Sequence, residues 1–128
     1  MKQKRILIVE DEVIIAFELK VRLEQAGYHV LPIAVNGQQA ESLALKERPD
    51  LIVMDIILKG TIDGVEAAEN ILQKRNVPII YLSGNSDRKY DPRLLNTNPV
   101  AFLIKPTEDW KLLKTIKYAL NSVSIDSH

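Results

Sequence analysis

Four apolar runs in this chain each end at side chains that can bind a metal ion or a phosphoryl group. The runs stop at Glu10 with Asp11, at Asp55, at Ser83 and at Lys105. If the runs are strands of a parallel sheet, their carboxyl ends lie along one edge, which is where ligands bind in open α/β sheets. The sequence therefore predicts one cleft that holds three carboxylates, a hydroxyl and a lysine.

The carboxylates of this cleft predict a divalent cation. A single carboxylate after a strand is usually a solvated loop residue or a helix cap, but several at neighbouring strand ends repel one another. Each then resists ionisation unless a cation joins them. Mg²⁺ takes oxygen ligands and often binds a few carboxylates together with waters and phosphate oxygens. We expect Glu10, Asp11, Asp55 and the backbone carbonyl of Ile57 to hold Mg²⁺.

The remaining cleft residues predict phosphoryl chemistry. A carboxylate can attack phosphorus and become an aspartyl phosphate, and Asp55 suits this role because it ends the central strand. Phosphoryl transfer depends mostly on positioning and electrostatic clamping. We expect the Ser83 hydroxyl, a backbone N–H at Gly84 and the Lys105 ammonium to bind the phosphoryl oxygens. Pro106 predicts a rigid turn, with a cis bond, that fixes the direction of Lys105.

Helical patterns alternate with the apolar runs, and this alternation predicts an α/β fold with a doubly wound, five-stranded parallel sheet. A first helix follows Glu12 and ends at Gly27. A second strand is expected over His29–Ala34, and Pro32 within it predicts an edge position because proline cannot donate to a ladder. The side chains expected to face the core from the helices are Val13, Ile14, Phe17, Leu19, Val21, Leu23, Ala40, Leu43, Ala44, Leu45, Val65, Ala68, Ile71, Leu72, Leu112, Leu113, Ile116 and Leu120.

Two regions have weaker patterns. Pro92 falls where a fourth helix is expected, so we predict a short helix that starts near Asp91–Pro92 and loop over the rest of 85–98. Thr107 is the expected N-cap of the last helix. The tail over 122–128 lacks a pattern and is expected to fray. We therefore expect a single domain over 1–128 with its core at about 4–121.

Composition limits the functional classes. The chain has 128 residues, no cysteine, and 17 basic against 17 acidic side chains. Disulfides and thiolate metal sites are excluded, and the balanced charge argues against direct nucleic-acid binding. No apolar run is long enough to cross a membrane. We expect a soluble, cytoplasmic protein with no nucleic-acid or membrane partner.

These motifs together resemble the receiver domain of two-component response regulators, the CheY-like family, over about residues 4–121. The resemblance covers an acidic pair, a phosphoacceptor aspartate, a Thr/Ser position, an aromatic switch position and a lysine followed by a cis-proline. The matching residues are Glu10, Asp11, Asp55, Ser83, Phe102, Lys105 and Pro106.

The resemblance implies a flavodoxin-like sheet with strand order 2-1-3-4-5 and a signalling switch rather than an enzyme. A histidine kinase or phosphotransfer protein would supply the phosphoryl group to Asp55, with Mg²⁺ bound and Mn²⁺ able to replace it. Phosphorylation would reposition Ser83 and Phe102 and change the surface of helix 4, strand 5 and helix 5. A downstream protein target or effector domain, or a second copy in a homodimer, would bind that surface.

The chain also departs from the common family pattern. The loop over 58–64 is longer and resembles a subgroup that reads Asp-Ile-x-Leu-x-Gly-x-x-Asp-Gly. Ile57 is apolar and cannot orient a water, so we predict slow self-dephosphorylation. Ser83 lacks the methyl group of threonine. Trp110 lies off the apolar stripe of the last helix, either as a partly packed residue or as a surface anchor.

Other functional classes remain as alternatives. A receiver-like interaction module that never takes phosphate is the main one. A phosphatase of the haloacid dehalogenase kind requires Asp-x-Asp, whereas Asp55 is followed by Ile56 and Ile57. A flavin-binding domain of similar topology requires a phosphate-cradling loop after the first strand, whereas this chain has Glu10-Asp11-Glu12 there. The sequence fits either a stand-alone receiver or part of a longer protein.

Overall fold

A computed structural model describes the backbone of residues 3–126 and the side chains of residues 3–121. Five strands alternate with helices, and a 3₁₀ helix, η1, precedes the fourth α-helix. The elements are β1 Arg5–Val9, α1 Val13–Gln25, β2 His29–Val30, α2 Gly37–Glu47, β3 Leu51–Asp55, α3 Gly64–Leu72, β4 Ile79–Ser83, η1 Ser86–Tyr90, α4 Leu94–Thr97, β5 Ala101–Ile104 and α5 Asp109–Asp126. No helix among these is both long enough and apolar enough to cross a lipid bilayer.

The five strands form one sheet in the order β2-β1-β3-β4-β5, and every neighbouring pair is parallel. The predicted fold class and strand order are therefore confirmed. From β1 the chain adds β2 on one side of the sheet, and it then adds β3, β4 and β5 on the other side. The switch in direction therefore lies between β1 and β3, whose carboxyl ends are next to each other. This reversal is the position at which open α/β sheets bind their ligands.

Helices cover both faces of the sheet. Strands β1, β3 and β4 are buried almost throughout, and their side chains alternate between two apolar cores. On β3, Ile52 and Met54 face the core under α2, α3 and α4, whereas Leu51 and Val53 face the core under α1 and α5. The apolar composition of these strands follows from this burial on both faces.

The predicted inward face of α1 is partly wrong. Val13, Ile14 and Phe17 are 77%, 75% and 60% exposed, and the buried stripe consists of Ala16, Leu19 and Leu23. At about 100° per residue, Ile14 and Phe17 lie on the far side of the helix axis from this stripe, and Val13 lies at about a right angle to it. Only one face of α1 meets the sheet, so its other apolar side chains remain in solvent. On α2, Leu45 is 38% exposed for the same reason.

Strand β2 is at the sheet edge as predicted, but it is shorter than expected. Only His29 and Val30 pair with β1 in a ladder, followed by one isolated bridge between Ala34 and Val9. Pro32 lies in the gap at a position whose N–H would face away from β1, because His29 and Leu31 donate toward β1 on either side of Val30. The next donor to β1 is Ala34 rather than Ile33, so the regular alternation is broken here.

The first and last residues of η1, α4 and α5 also differ from the prediction. Helix α4 begins at Leu94 rather than near Asp91–Pro92, and η1 fills part of the segment expected to be loop. Thr107 does not cap α5, because Glu108 accepts the first helical bonds. The Thr107 hydroxyl is buried and has no hydrogen-bond partner among the described residues. Helix α5 continues through Asp126, beyond the expected end of the core at 121, while residues 127–128 of the predicted frayed tail lie outside the described part.

Candidate functional site

The carboxyl ends of β1 and β3 bring three carboxylates together. One oxygen from each of Glu10, Asp11 and Asp55 lies within 4.8 Å of the others. Glu10 and Asp55 are buried, and Asp11 is partly exposed. Such an oxygen-only donor set fits a hard divalent cation such as Mg²⁺.

Lys105 connects two of these carboxylates from β5. Its Nζ lies 2.6 Å from Oε1 of Glu10 and 3.2 Å from Oδ2 of Asp55. The backbone N–H of Lys105 donates to the carbonyl of Ser83 at 2.8 Å, which holds the end of β5 against β4. The bond from Lys105 to Pro106 is cis, as predicted. The lysine is therefore directed into the acidic group from the opposite side of the cleft.

The ionisation of Asp55 reflects this crowding. Burial and the negative charge of Glu10 raise the pKa of Asp55 to about 7, although Lys105 acts in the opposite direction. Burial lowers the pKa of Lys105, but its hydrogen bond to Glu10 and the charge of Asp55 outweigh burial and raise it overall. A cation joined to the carboxylates would offset the charge of Glu10, which is the second cause of the raised pKa of Asp55 after burial.

The loop after β3 closes one side of the site. The Ile57 N–H donates to Oδ1 of Asp55 at 3.3 Å, and the Lys59 N–H donates to Oδ2 of Asp11 at 3.1 Å. The Ile57 side chain is 50% exposed. The loop is therefore attached to both aspartates through its backbone.

Ser83 and Gly84 lie at the end of β4. The buried Ser83 hydroxyl donates to the Asn85 carbonyl at 3.2 Å and accepts from the Asn85 N–H at 3.1 Å. Gly84 lines the same cavity as Asp55, and a side chain there would meet no atom within 4 Å. Phe102, on β5, is partly buried and packs against the core under α2, α3 and α4.

The site opens into a cavity of about 500 Å³. Most of the predicted site residues line it or are bonded to residues that do. The lining residues are Asp11, Glu12, Ile15, Asp55, Ile57, Leu58, Lys59, Gly84, Asn85 and Lys105.

Sequence reasoning missed two features around the site. It did not identify the backbone contacts of Lys59 and Asn85, since any residue type can make them. It also did not pair Asp63 with Arg93, although Nη2 of Arg93 lies 2.7 Å from Oδ2 of Asp63. The charged pair is 30 residues apart in the chain, and only the fold brings it together.

A family model of the response regulator receiver domain matches residues 6–117. The chain belongs to the response regulator receiver domain family. The resemblance predicted from the acidic pair, Asp55, Ser83 and Lys105 is thus confirmed at the level of the family. Receiver domains act as signalling switches, use Mg²⁺ through an acidic pocket, and interact with histidine kinases and effector domains.

Curated relatives of this receiver domain include bacterial transcriptional regulators. It is 36% identical over 118 residues to the transcriptional regulatory protein PdtaR of Mycobacterium tuberculosis, covering 92% of the chain and 57% of the relative. It is 34% identical over 123 residues to the phosphate regulon regulatory protein PhoB of Pseudomonas aeruginosa, covering 94% of the chain and 53% of the relative. The receiver domain thus spans little more than half of the length of these relatives.

Solved structures match almost the whole receiver domain. The signal receiver domain of a modulated diguanylate cyclase from Desulfovibrio desulfuricans G20 has a TM-score of 0.90 at 34% identity, covering 98% of this chain and 99% of that one. A CheY-like receiver domain protein from Methanospirillum hungatei JF-1 also has a TM-score of 0.90, at 29% identity and the same coverage. Both support the doubly wound fold described above.

Proposed function

We propose that the chain is a Mg²⁺-dependent phosphoacceptor that takes a phosphoryl group onto Asp55. The observation that carries this proposal is the position of the Asp55 carboxylate. It lies within 4.8 Å of oxygens from Glu10 and Asp11, and 3.2 Å from the Lys105 ammonium. A carboxylate placed between a cation site and a lysine can approach an anionic phosphoryl group without repelling it.

Glu10, Asp11, Asp55 and the backbone carbonyl of Ile57 would hold the metal ion. Bound Mg²⁺, or Mn²⁺ in its place, supplies positive charge that neutralises the phosphoryl oxygens. The ion would also stabilise the three carboxylates, because burial and the charge of Glu10 raise the pKa of Asp55 and a bound cation would favour its charged form.

In the transfer step, Asp55 would act as the nucleophile, and other side chains of this domain would bind the phosphoryl oxygens. An Asp55 oxygen attacks, a new O–P bond forms, and the P–N bond to a phosphohistidine of the donor breaks, leaving the electron pair on the imidazole nitrogen. Lys105 pairs with one phosphoryl oxygen. The Ser83 hydroxyl would exchange its bond to the Asn85 carbonyl for a bond to a second phosphoryl oxygen. Gly84 lines the same cavity, and its N–H would donate to a phosphoryl oxygen as well.

The donor would be a histidine kinase or a phosphotransfer protein, and the product would be read by another protein. Phosphate adds about one further negative charge and new acceptor oxygens at Asp55. The movement of Ser83 leaves space into which Phe102 can turn. Both changes reach the surface of α4, β5 and α5, where Leu95, Trp110 and Tyr118 are 85%, 61% and 64% exposed. A downstream target, an effector domain or a second copy would bind there.

Intact-mass measurement after incubation with acetyl phosphate tests the proposal. The native chain should gain one phosphoryl mass only when Mg²⁺ is present, and Asp55→Asn should gain none. Asp87→Asn is the matched control, because Asp87 is exposed and its side chain makes no bond to the site. A native chain that gains no mass from acetyl phosphate and shows no Mg²⁺ binding would instead indicate a phosphate-independent interaction module.

A further inference from the structure

Arg93 joins two carboxylates that belong to different parts of the fold. Its Nη1 and Nη2 donate to Oδ1 and Oδ2 of Asp63 at 3.2 and 2.7 Å. Its Nε and Nη2 donate to Oδ1 and Oδ2 of Asp91 at 3.1 and 2.7 Å. The guanidinium thus makes a two-point contact with each partner, and we call the three residues the Arg93 clamp.

The clamp is stronger than an ordinary surface ion pair. The side chains of Arg93, Asp63 and Asp91 keep only 35%, 30% and 12% of their surface in solvent. Burial raises the pKa of Asp63, but its bonds to Arg93 and to the Glu66 N–H outweigh burial and lower it. Bonds to Arg93 likewise lower the pKa of Asp91. A two-point, partly buried network of this kind is the exception to the weakness of surface salt bridges.

One end of the clamp leads directly to the Asp55 site. Asp63 ends the loop 56–63, whose other end is bonded to Asp55 and Asp11 through the N–H groups of Ile57 and Lys59. Asp63 also caps α3 by accepting from the Glu66 N–H at 2.9 Å. The contacts with Asp55 and Asp11 and the Asp63 carboxylate therefore belong to the same short loop.

The other end of the clamp leads to α4. The Asp91 carbonyl accepts from the Leu94 N–H at 3.0 Å, so Asp91 and Arg93 form the turn that starts this helix. Helix α4 has only four residues, too few for the helix to be stable through its own hydrogen bonds. It is held from outside by burial of Leu94, by the bond of Thr97 to Tyr81, and by the clamp.

We propose that Arg93 is a positioning residue that couples occupancy of the Asp55 site to the order of segment 86–97. The inference rests on the proposed function, since that function supplies the ligand. When the site holds metal and phosphoryl, the loop 56–63 is fixed, and the clamp fixes the start of α4 with it. Because coupling between two sites is reciprocal, loss of the clamp also weakens ligand binding at Asp55.

Hydrogen-exchange mass spectrometry of segment 86–97 tests the coupling, with Mg²⁺ plus beryllium fluoride as the phosphoryl mimic. In the native chain the mimic should slow exchange in this segment by about fivefold or more. Arg93→Gln should lose most of that change and bind the mimic a few-fold more weakly. Lys89→Gln removes a positive charge from the same segment without touching either carboxylate, and should behave like the native chain.

The outcomes separate this inference from the proposed function. A native chain that fails to bind the mimic overturns both. A native chain that binds the mimic without a change in 86–97, or an Arg93→Gln chain that keeps the full change, overturns the coupling alone. If Arg93→Gln does not fold, Asp63→Asn replaces it, because asparagine still caps α3 while the ionic contact is lost. Retention of the full change in Asp63→Asn would then overturn the coupling.

Discussion

At the scale of single residues, the site brings like charges together, and their repulsion is unfavourable for the folded state. Glu10 and Asp55 are buried next to each other, and the single ammonium of Lys105 touches both. Asp11, less buried, stays beside them through its bond to the Lys59 N–H. Such a group of like charges is unfavourable without a cation, and this is why the geometry supports a metal-dependent function.

Ile57 lies where a polar side chain could direct water at a phosphorylated Asp55. Its side chain is 50% exposed and apolar, so a replacement should not disturb the core. We expect Ile57→Gln to shorten the lifetime of the aspartyl phosphate by several-fold, because the amide can orient the attacking water. Ile57→Val, which adds no polar group, should leave it unchanged. Decay of phosphorylated protein, followed by intact mass, measures the lifetimes, and a native half-life of seconds would contradict this account.

Asp63 makes stability dependent on pH. The pKa of its carboxyl is below the ordinary value of 3.8 in the folded chain, so the folded state keeps the charge to lower pH than the unfolded state. Its contribution is therefore present above about pH 4 and disappears as the pH falls through the folded pKa. The native chain should exceed Asp63→Asn in unfolding free energy by about 0.5–1 kcal/mol at pH 7. Urea unfolding should find this difference shrinking as the pH is lowered below about 4, and a constant difference across the pH range would contradict the ionic origin.

At the scale of elements, the site depends on the close approach of the first residue of α3 to the backbone at the end of β3. The Gly64 N–H donates to the Ile56 carbonyl at 2.7 Å, and a side chain on Gly64 would overlap the Asp55 carbonyl. We expect Gly64→Ala to lower the unfolding free energy by about 1–3 kcal/mol, since neither backbone segment can move aside without strain.

Gly84→Ala provides the matched comparison for Gly64→Ala. A side chain at Gly84 meets nothing within 4 Å, and the residue has no positive φ. Its unfolding free energy should stay within about 0.5 kcal/mol of native. Equal losses in the two variants would show that the close approach of α3 to β3 is not what makes Gly64 necessary.

The sequence predicts strands and helices where one pattern dominates. The strands β1, β3 and β4 were predicted well because burial on both faces requires continuous apolar runs. The inward face of α1 is predicted less well, because Val13, Ile14 and Phe17 are apolar yet exposed. The composition of a helix with apolar residues on several sides does not say which side packs against the sheet. For α4, the predicted start near Asp91–Pro92 falls on the turn in which the Leu94 N–H donates to the Asp91 carbonyl, and the helix itself begins at Leu94.

The candidate site was predictable to the extent that it follows from strand ends. Parallel strands place their carboxyl ends on one edge, so the meeting of Glu10, Asp11, Asp55 and Lys105 followed from the pattern. The bonds of Ser83 to Asn85 did not follow from it, because backbone partners in loops depend on local geometry.

At the scale of the whole molecule, metal binding should be measurable as an increase in the stability of the folded chain. A ligand that binds only the folded state raises its free energy of unfolding, by about 1.4 kcal/mol at ten times its dissociation constant. We expect Mg²⁺ to raise the thermal midpoint of the native chain by about 3–6 °C at that concentration. Asp11→Asn should largely abolish the rise, because it removes one charge of the donor set. A rise of the same size in Asp11→Asn would place the metal elsewhere.

The central claim is that Asp55 is the residue that carries the phosphoryl group. Borohydride reduction of the phosphorylated chain followed by peptide mass spectrometry tests it directly, because an aspartyl phosphate is reduced to homoserine. The account predicts homoserine at position 55 alone, only after incubation with acetyl phosphate and Mg²⁺. Reduction at another aspartate, or a phosphoryl adduct that borohydride does not reduce, would contradict it.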